Sequence, residues 1–140
     1  MAKITAGILC DFAQVREGLL FISSGGLTRL IRPEVPARLG VQLALMVEVP
    51  PGELSQAHEL VIVIKRNETA EDLGRLVTGV QVQARGAFPG ESINLPAVVN
   101  MQGVMVPAFG AYDVRMSVDG EDGPHLTSYV VSPAERTGPS

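Results

Sequence analysis

The stretch that decides the fold is Val41-Gln42-Leu43-Ala44-Leu45-Met46-Val47-Glu48-Val49. Its odd-numbered positions are all Val or Leu, whereas its even-numbered positions include Gln42 and Glu48. Side chains of a β-strand point alternately to opposite faces of the sheet, so this pattern builds one continuous apolar face. On a helix the same apolar residues would be scattered around the axis. We therefore predict a strand here, with one face in a hydrophobic core.

Shorter segments with the same period extend this reading to the rest of the chain. They cover residues 3–10, 75–85 and 111–119. The 140 residues include 18 Val and 7 Ile, which favour strands, and 15 Gly and 10 Pro, which favour turns. Together these features predict an all-β fold: a single antiparallel β-sandwich, Ig-like or jelly-roll-like, of about 7–9 strands.

The chain length fits one domain, which we place at residues 1–132. Residues 133–140 show no apolar period and are predicted to form a flexible C-terminal tail. At most one short helix is expected, near residues 69–73, where Thr69-Ala70-Glu71-Asp72 matches a helix-capping pattern.

Three further segments bear on the arrangement of the strands. Residues 11–18 are polar at one end and close on Gly18, so we expect a turn between the first two strands. Residues 60–64 are apolar on both faces, which indicates either a central strand or a strand at an interface. Asp119-Gly120 is a strong hairpin signal.

Composition and motifs also limit the functions to consider. A net charge of -4 and 4% aromatic residues argue against a nucleic-acid binder. No apolar run approaches the roughly 20 residues of a membrane span, and the N-terminus lacks the long apolar stretch of a secretory signal. Cys10 is the single cysteine and is expected to be a buried hydrophobe. We therefore expect a cytoplasmic protein without nucleic-acid or membrane partners.

Most of the common sets of catalytic residues are incomplete in this sequence. His58 and His125 are the two histidines, one at a strand start and one in a turn, and both are expected to be solvated or capping groups. Zinc-ligand spacing and a nucleophile-elbow motif are absent. Ser23-Ser24-Gly25-Gly26 lacks the Lys and the following helix of a phosphate loop, so a bend is favoured. We predict no enzymatic activity and no cofactor.

Two polar features carry weaker hypotheses. Asp119, Glu121 and Asp122 form the densest acidic cluster and are candidate ligands of a calcium ion, but a solvated hairpin tip is the favoured explanation and we predict no metal site. Tyr112 opens a strand, where a tyrosine at a sandwich corner commonly bonds back to the backbone.

Several of these segments resemble a family of small uncharacterised bacterial proteins catalogued as a domain of unknown function. The segments that carry the resemblance are residues 6–13 (AGILCDFA), 18–26 (GLLFISSGG), 33–36 (PEVP), 107–112 (PAFGAY) and 118–120 (VDG). The resemblance spans residues 4–132 and implies a cytosolic β-sandwich, without an active site that can be carried over.

The sequence leaves three functions to weigh. The first is a non-enzymatic scaffold that binds a protein partner or associates with itself, based on the missing catalytic sets and residues 60–64. The alternative is a sandwich or barrel that binds a small ligand or calcium. An enzyme would require a pocket in which Asp11, Asp113, His58 or His125 converge.

Overall fold

The computed structural model of the chain describes residues 1–82 and 88–133. These residues contain a short 3-10 turn over Pro51–Glu53, no α-helix, and strands throughout, which confirms the all-β prediction. The strands are β1 (Lys3–Arg16), β2 (Leu19–Gly25), β3 (Arg29–Ile31), β4 (Ala37–Arg38), β5 (Gln42–Val49), β6 (Ala57–Arg66), β7 (Asp72–Gln81), β8 (Ile93–Asn100), β9 (Met105–Val106), β10 (Gly110–Val118) and β11 (Glu121–Val131).

The described strands form two large sheets and one small one. The first has the order β2-β1-β5-β8, the second has the order β3-β11-β10-β6-β7, and β4 pairs with β9 alone. Pairing is antiparallel except between β3 and β11, which run parallel with Leu30 opposite Val130. The prediction of a purely antiparallel fold is therefore wrong at this edge. The chain leaves β2 and crosses to the other sheet through Gly26, instead of folding back in a hairpin.

The inner faces of the two large sheets supply one core. The odd-numbered side chains of residues 41–49 are 0–1% exposed, as the period-two pattern predicts. Across from them, Leu60, Ile62 and Ile64 of β6 are 0% exposed. Strand β6 lies between β10 and β7, which agrees with the first of the two alternatives for residues 60–64, although the outward Val61 and Val63 are only partly buried.

Strand β1 belongs to two pairings. Lys3–Cys10 pairs with β5, whereas Cys10–Arg16 pairs with β2. The predicted turn at residues 11–18 is therefore wrong, because the strand continues to Arg16 and the turn is confined to Glu17 and Gly18. Both turn residues have positive φ, 52° and 74°, which matches the twist of a tight two-residue hairpin.

The predicted helix near residues 69–73 is also not formed. Ala70 has a φ of 56° and its N–H bonds to the carbonyl of Arg66 at 2.8 Å, which closes a turn. Asp72 then begins β7 and pairs with Lys65. The hairpin expected at Asp119-Gly120 is confirmed. The predicted tail lies, apart from Pro133, outside the described residues.

Candidate interaction surface

A two-stranded hairpin extends from the first sheet, and we refer to residues 11–25 as the arm. The arm holds half of the large hydrophobic side chains that are exposed in the described part of the chain. Its exposed members are Phe12 (50%), Val15 (43%), Leu19 (62%), Phe21 (47%) and Ile22 (41%). Single exposed hydrophobics are ordinary, whereas a contiguous group marks a surface that another molecule covers.

Both faces of the arm are apolar. Paired residues of an antiparallel hairpin share a face, and Ala13 pairs with Ile22 while Gln14 pairs with Phe21. Phe12 and Phe21 therefore lie on one face, and Val15 and Ile22 lie on the other. The Arg16 guanidinium carbon is 5.8 Å from the centre of the Phe21 ring.

The base of the arm is fixed to the rest of the domain, which we refer to as the body. Cys10, Ala13 and Ala44 are buried in a small cluster of their own, against which Leu20 and Val98 pack. The Ala13 N–H donates to Oε1 of Gln42 at 2.7 Å, which ties the arm to β5. Burial raises the pKa of the Cys10 thiol, with a smaller contribution from Asp11, so this group is an inert core residue as expected. The exposed side chains are thus presented on an anchored support.

Strand β2 is also an edge strand without the usual protection. Natural sheets protect their edges with charges, prolines or very short strands. Among the described strands, the edge strand β8 contains Pro96, β7 contains Asp72 and Arg75, and β3 has three residues. The residues from Leu19 to Thr28 include no charged side chain and no proline. This edge is therefore open to pairing with another strand.

The acidic loop does not gather its three carboxylates around one point. The Asp119 Oδ2 is 2.6 Å from Nδ1 of His58, and its Oδ1 accepts the Glu59 N–H at 2.9 Å. Glu121 and Asp122 lie at the start of β11 and are exposed. The structure thus brings Asp119 to β6, and calcium binding at this loop stays the less favoured alternative.

His58 is the hydrogen-bond partner of Asp119, and the sequence alone did not indicate this pair. His58 is 1% exposed, so of the two roles expected for it, solvated or capping, the solvated one is wrong. Its Nε2 donates to the Glu53 carbonyl at 3.0 Å, and both ring nitrogens therefore face acceptors, which favours the imidazolium. The hydrogen bond to Asp119 raises the pKa of His58 above its ordinary value. Burial acts to raise the pKa of Asp119, but the bonds from His58 and Glu59 lower it overall.

The side chains of Glu53, His58 and Asp119 offer ligand atoms within 4.8 Å of one another. A metal ion would have to replace the proton that His58 Nδ1 shares with Asp119. The Glu53 carboxylate already accepts the Ala2 N–H at 3.1 Å. The group therefore acts as a clamp that joins the start of β6 to the turn between β10 and β11.

A buried carboxylate, that of Asp113, lies on the outer face of the larger sheet. Asp113 is 4% exposed and accepts bonds from Asn67 at 3.0 Å and Thr127 at 3.1 Å. His125 Nε2 lies 3.2 Å from its Oδ1, and the His125 side chain is 51% exposed. Burial acts to raise the pKa of Asp113, but these three partners lower it overall.

Of the four residues that an enzyme would need in one pocket, the structure brings Asp113 and His125 together, whereas His58 and Asp11 lie elsewhere. Asp119 holds His58, Asp113 holds His125, and Asp11 lies on the arm. Tyr112, by contrast, has the structural role predicted for it: its Oη donates to the Ala108 carbonyl at 2.6 Å. No helix in the described part of the chain is long and apolar enough to cross a membrane.

Fold and surface together define an all-β domain with a shared core and an exposed apolar arm. The chain belongs to the family of unknown function DUF6941, whose family model matches residues 5–131. No curated protein matches it. The resemblance to a domain of unknown function is confirmed at this level. The matched range includes the whole arm.

Proposed function

We propose that this protein is a non-enzymatic β-sandwich that assembles with a second copy of itself through the arm. The observation that carries the proposal is the group of five large apolar side chains, 41–62% exposed, on an anchored hairpin. Leaving such a group in water costs free energy that a partner surface recovers.

The area of the arm suits a reversible association. At the usual size of such side chains, the exposed parts amount to roughly 400 Å² per copy. Complete burial of these side chains in both copies would give at most about 800 Å², to which main-chain and neighbouring atoms add. Specific interfaces begin at about 1,200 Å², so we expect a concentration-dependent dimer and not a permanent one.

The charge pattern favours an identical partner. The net charge of -4 opposes association at long range, but Leu19 to Thr28 brings no like charges together at the contact. An uncharged edge also lacks the charges that would select an oppositely charged partner. A second copy of the same strand is therefore a suitable occupant.

The finer assignments rest on separate observations. One core shared by both large sheets supports the sandwich architecture. The burial of His58, with acceptors at both of its ring nitrogens, supports a structural and non-enzymatic role for that histidine. A single, fully buried cysteine suits the reducing cytoplasm, where we place the protein.

Sedimentation velocity over a range of concentrations tests this function. We expect wild type to shift from monomer to dimer as concentration rises, and Ile22→Glu to stay monomeric. Val77→Glu is the matched control, because Val77 is 56% exposed on β7, an edge strand of the other sheet. It should associate like wild type. A wild-type chain that is monomeric at every concentration, or equal effects of the two variants, would overturn the proposal.

A further inference from the structure

We propose that two copies join by antiparallel pairing of β2 with β2, centred on Ile22, into one continuous eight-stranded sheet. This inference rests on the proposed function and specifies its geometry. The sheet order across the two copies would be β8-β5-β1-β2, followed by the same strands in reverse. Such an interface is two-fold symmetric and closes on itself.

The hairpin register decides which backbone groups reach the open edge. Arg16 and Leu19 flank the two-residue turn and are paired, as are Gln14 with Phe21 and Phe12 with Ser23. In a hairpin with this turn, the flanking residues form a hydrogen-bonded pair, and such pairs recur at every second residue. The N–H and C=O groups of Leu20 and Ile22 therefore point away from β1, toward solvent.

The strand is complementary to itself about Ile22. Antiparallel pairing centred there places Ile22 opposite Ile22, Phe21 opposite Ser23, and Leu20 opposite Ser24, where the φ of 55° at Ser24 ends the regular ladder. Each larger apolar side chain beside the centre thus meets a small one, which leaves room for the ring and the branched chain. The central residue, Ile22, is also one whose N–H and C=O point away from β1. The hydrogen bonds and the side-chain packing therefore favour the same register.

The alternative geometry is face-to-face contact between the phenylalanines of two arms. Phe12 and Phe21 lie on one face and offer an apolar surface. That contact would leave the edge of β2 unpaired, however, and would leave Ile22 exposed on the opposite face. Edge pairing covers the backbone and brings side chains of both faces into contact with the partner.

Disulfide trapping distinguishes the geometries. In a Cys10→Ser background, Ile22→Cys should form a disulfide dimer under mild oxidation, because paired Cα atoms across the two-fold axis lie about 5.5 Å apart. We expect it to form at least tenfold faster than the Phe12→Cys or Val77→Cys dimers. Val77→Cys reports random collision, and Phe12→Cys reports face-to-face contact.

A second pair of variants tests the hydrogen bonds themselves. Ile22→Pro removes the outward N–H, whereas Ile22→Ala shortens the side chain and keeps it. We expect the proline variant to raise the dissociation constant at least tenfold more than alanine does, with circular dichroism verifying that both variants fold. If the wild-type chain dimerises but Phe12→Cys traps it fastest, or the two variants associate equally, edge pairing is wrong and assembly through the arm stands. A monomeric wild type would overturn both.

Discussion

Strands β5 and β2 belong to the same sheet and are built from similar residues, yet their surroundings differ completely. Strand β5 has a neighbour on each side, and even its outward Ala44 is 1% exposed. Strand β2 has one neighbour, and its Phe21 and Ile22 are 47% and 41% exposed. An apolar strand pattern therefore predicts a strand, but not whether its own chain or another molecule covers it.

The largest expected effect is the difference in stability between an alanine substitution in β5 and one in β2. Leu45→Ala, at a position 1% exposed in β5, should lower the free energy of unfolding by about 3 kcal/mol, because it leaves a cavity in the core. Leu19→Ala, at a position 62% exposed on the arm, should change it by less than about 0.5 kcal/mol. Urea unfolding measures both.

The unfolding curves are best recorded in an Ile22→Glu background, since association stabilises the folded state in proportion to its strength. In the background that can still associate, Leu19→Ala should instead weaken the dimer. A large loss of stability from Leu19→Ala in the monomeric background would show that the arm belongs to the core, and would remove the contrast.

The next effect concerns the polar clamp of the body, which the arm lacks. His58→Ala should lower the free energy of unfolding by about 2 kcal/mol, because it leaves Oδ2 of Asp119 and the Glu53 carbonyl without their donor. His125→Ala serves as the matched control and should lose less than about 1 kcal/mol, since its side chain is half exposed. Equal losses in urea unfolding would contradict the clamp.

The same clamp predicts that the free energy of unfolding depends on pH. This change should be smaller than the loss caused by His58→Ala. The folded-state pKa of His58 is raised, so its contribution is complete below the ordinary histidine pKa of about 6.5 and is lost as pH rises through the raised value. Wild type should therefore lose more stability than His58→Ala between pH 6 and pH 9.

At acid pH, Asp119 makes stability change in the opposite direction: stability is lost as pH falls. The pKa of Asp119 is lowered, so its contribution is present above the ordinary aspartate value and is lost as pH falls through the lowered one. Urea curves at several pH values measure both limbs. Parallel pH profiles for wild type and His58→Ala would show that the pair does not stabilise the fold.

How far the sequence predicts this molecule depends on the range of the interaction. Residues 41–49 fix their own conformation and inward face, and Asp119-Gly120 fixes its own turn, so both are readable locally. The pairing of His58 with Asp119 joins residues 61 positions apart and has no local signal.

The arm was missed for a different reason. Asp11, Gln14 and Arg16 interrupt its apolar residues, and its hydrophobic side chains lie on both faces, so the one-sided period of a half-buried strand is lost. Glu17-Gly18 is also a weaker hairpin signal than Asp-Gly or Asn-Gly. The sequence does predict a strand after Gly18, but the one-sided pattern that identifies β5 does not indicate a hairpin over residues 11–25 with apolar side chains on both faces.

The smallest expected effect lies inside the body. Ser128 on β11 is 1% exposed, and in the described part of the chain its Oγ has no hydrogen-bond partner. Removing a buried hydroxyl that has no partner relieves its desolvation cost, so Ser128→Ala should raise the free energy of unfolding by about 0.5–1 kcal/mol. Ser23→Ala, on the exposed arm, should leave it unchanged.

Urea unfolding in the Ile22→Glu background measures this pair as well. A loss of stability from Ser128→Ala would show that the hydroxyl is satisfied, for example by a buried water. If Ser128→Ala raises the stability as expected, a serine-to-alanine change matters in the body and not on the arm. A buried polar group in the body needs a partner within the protein, whereas water supplies the partner on the arm. Substitutions on the arm would then be felt chiefly through assembly.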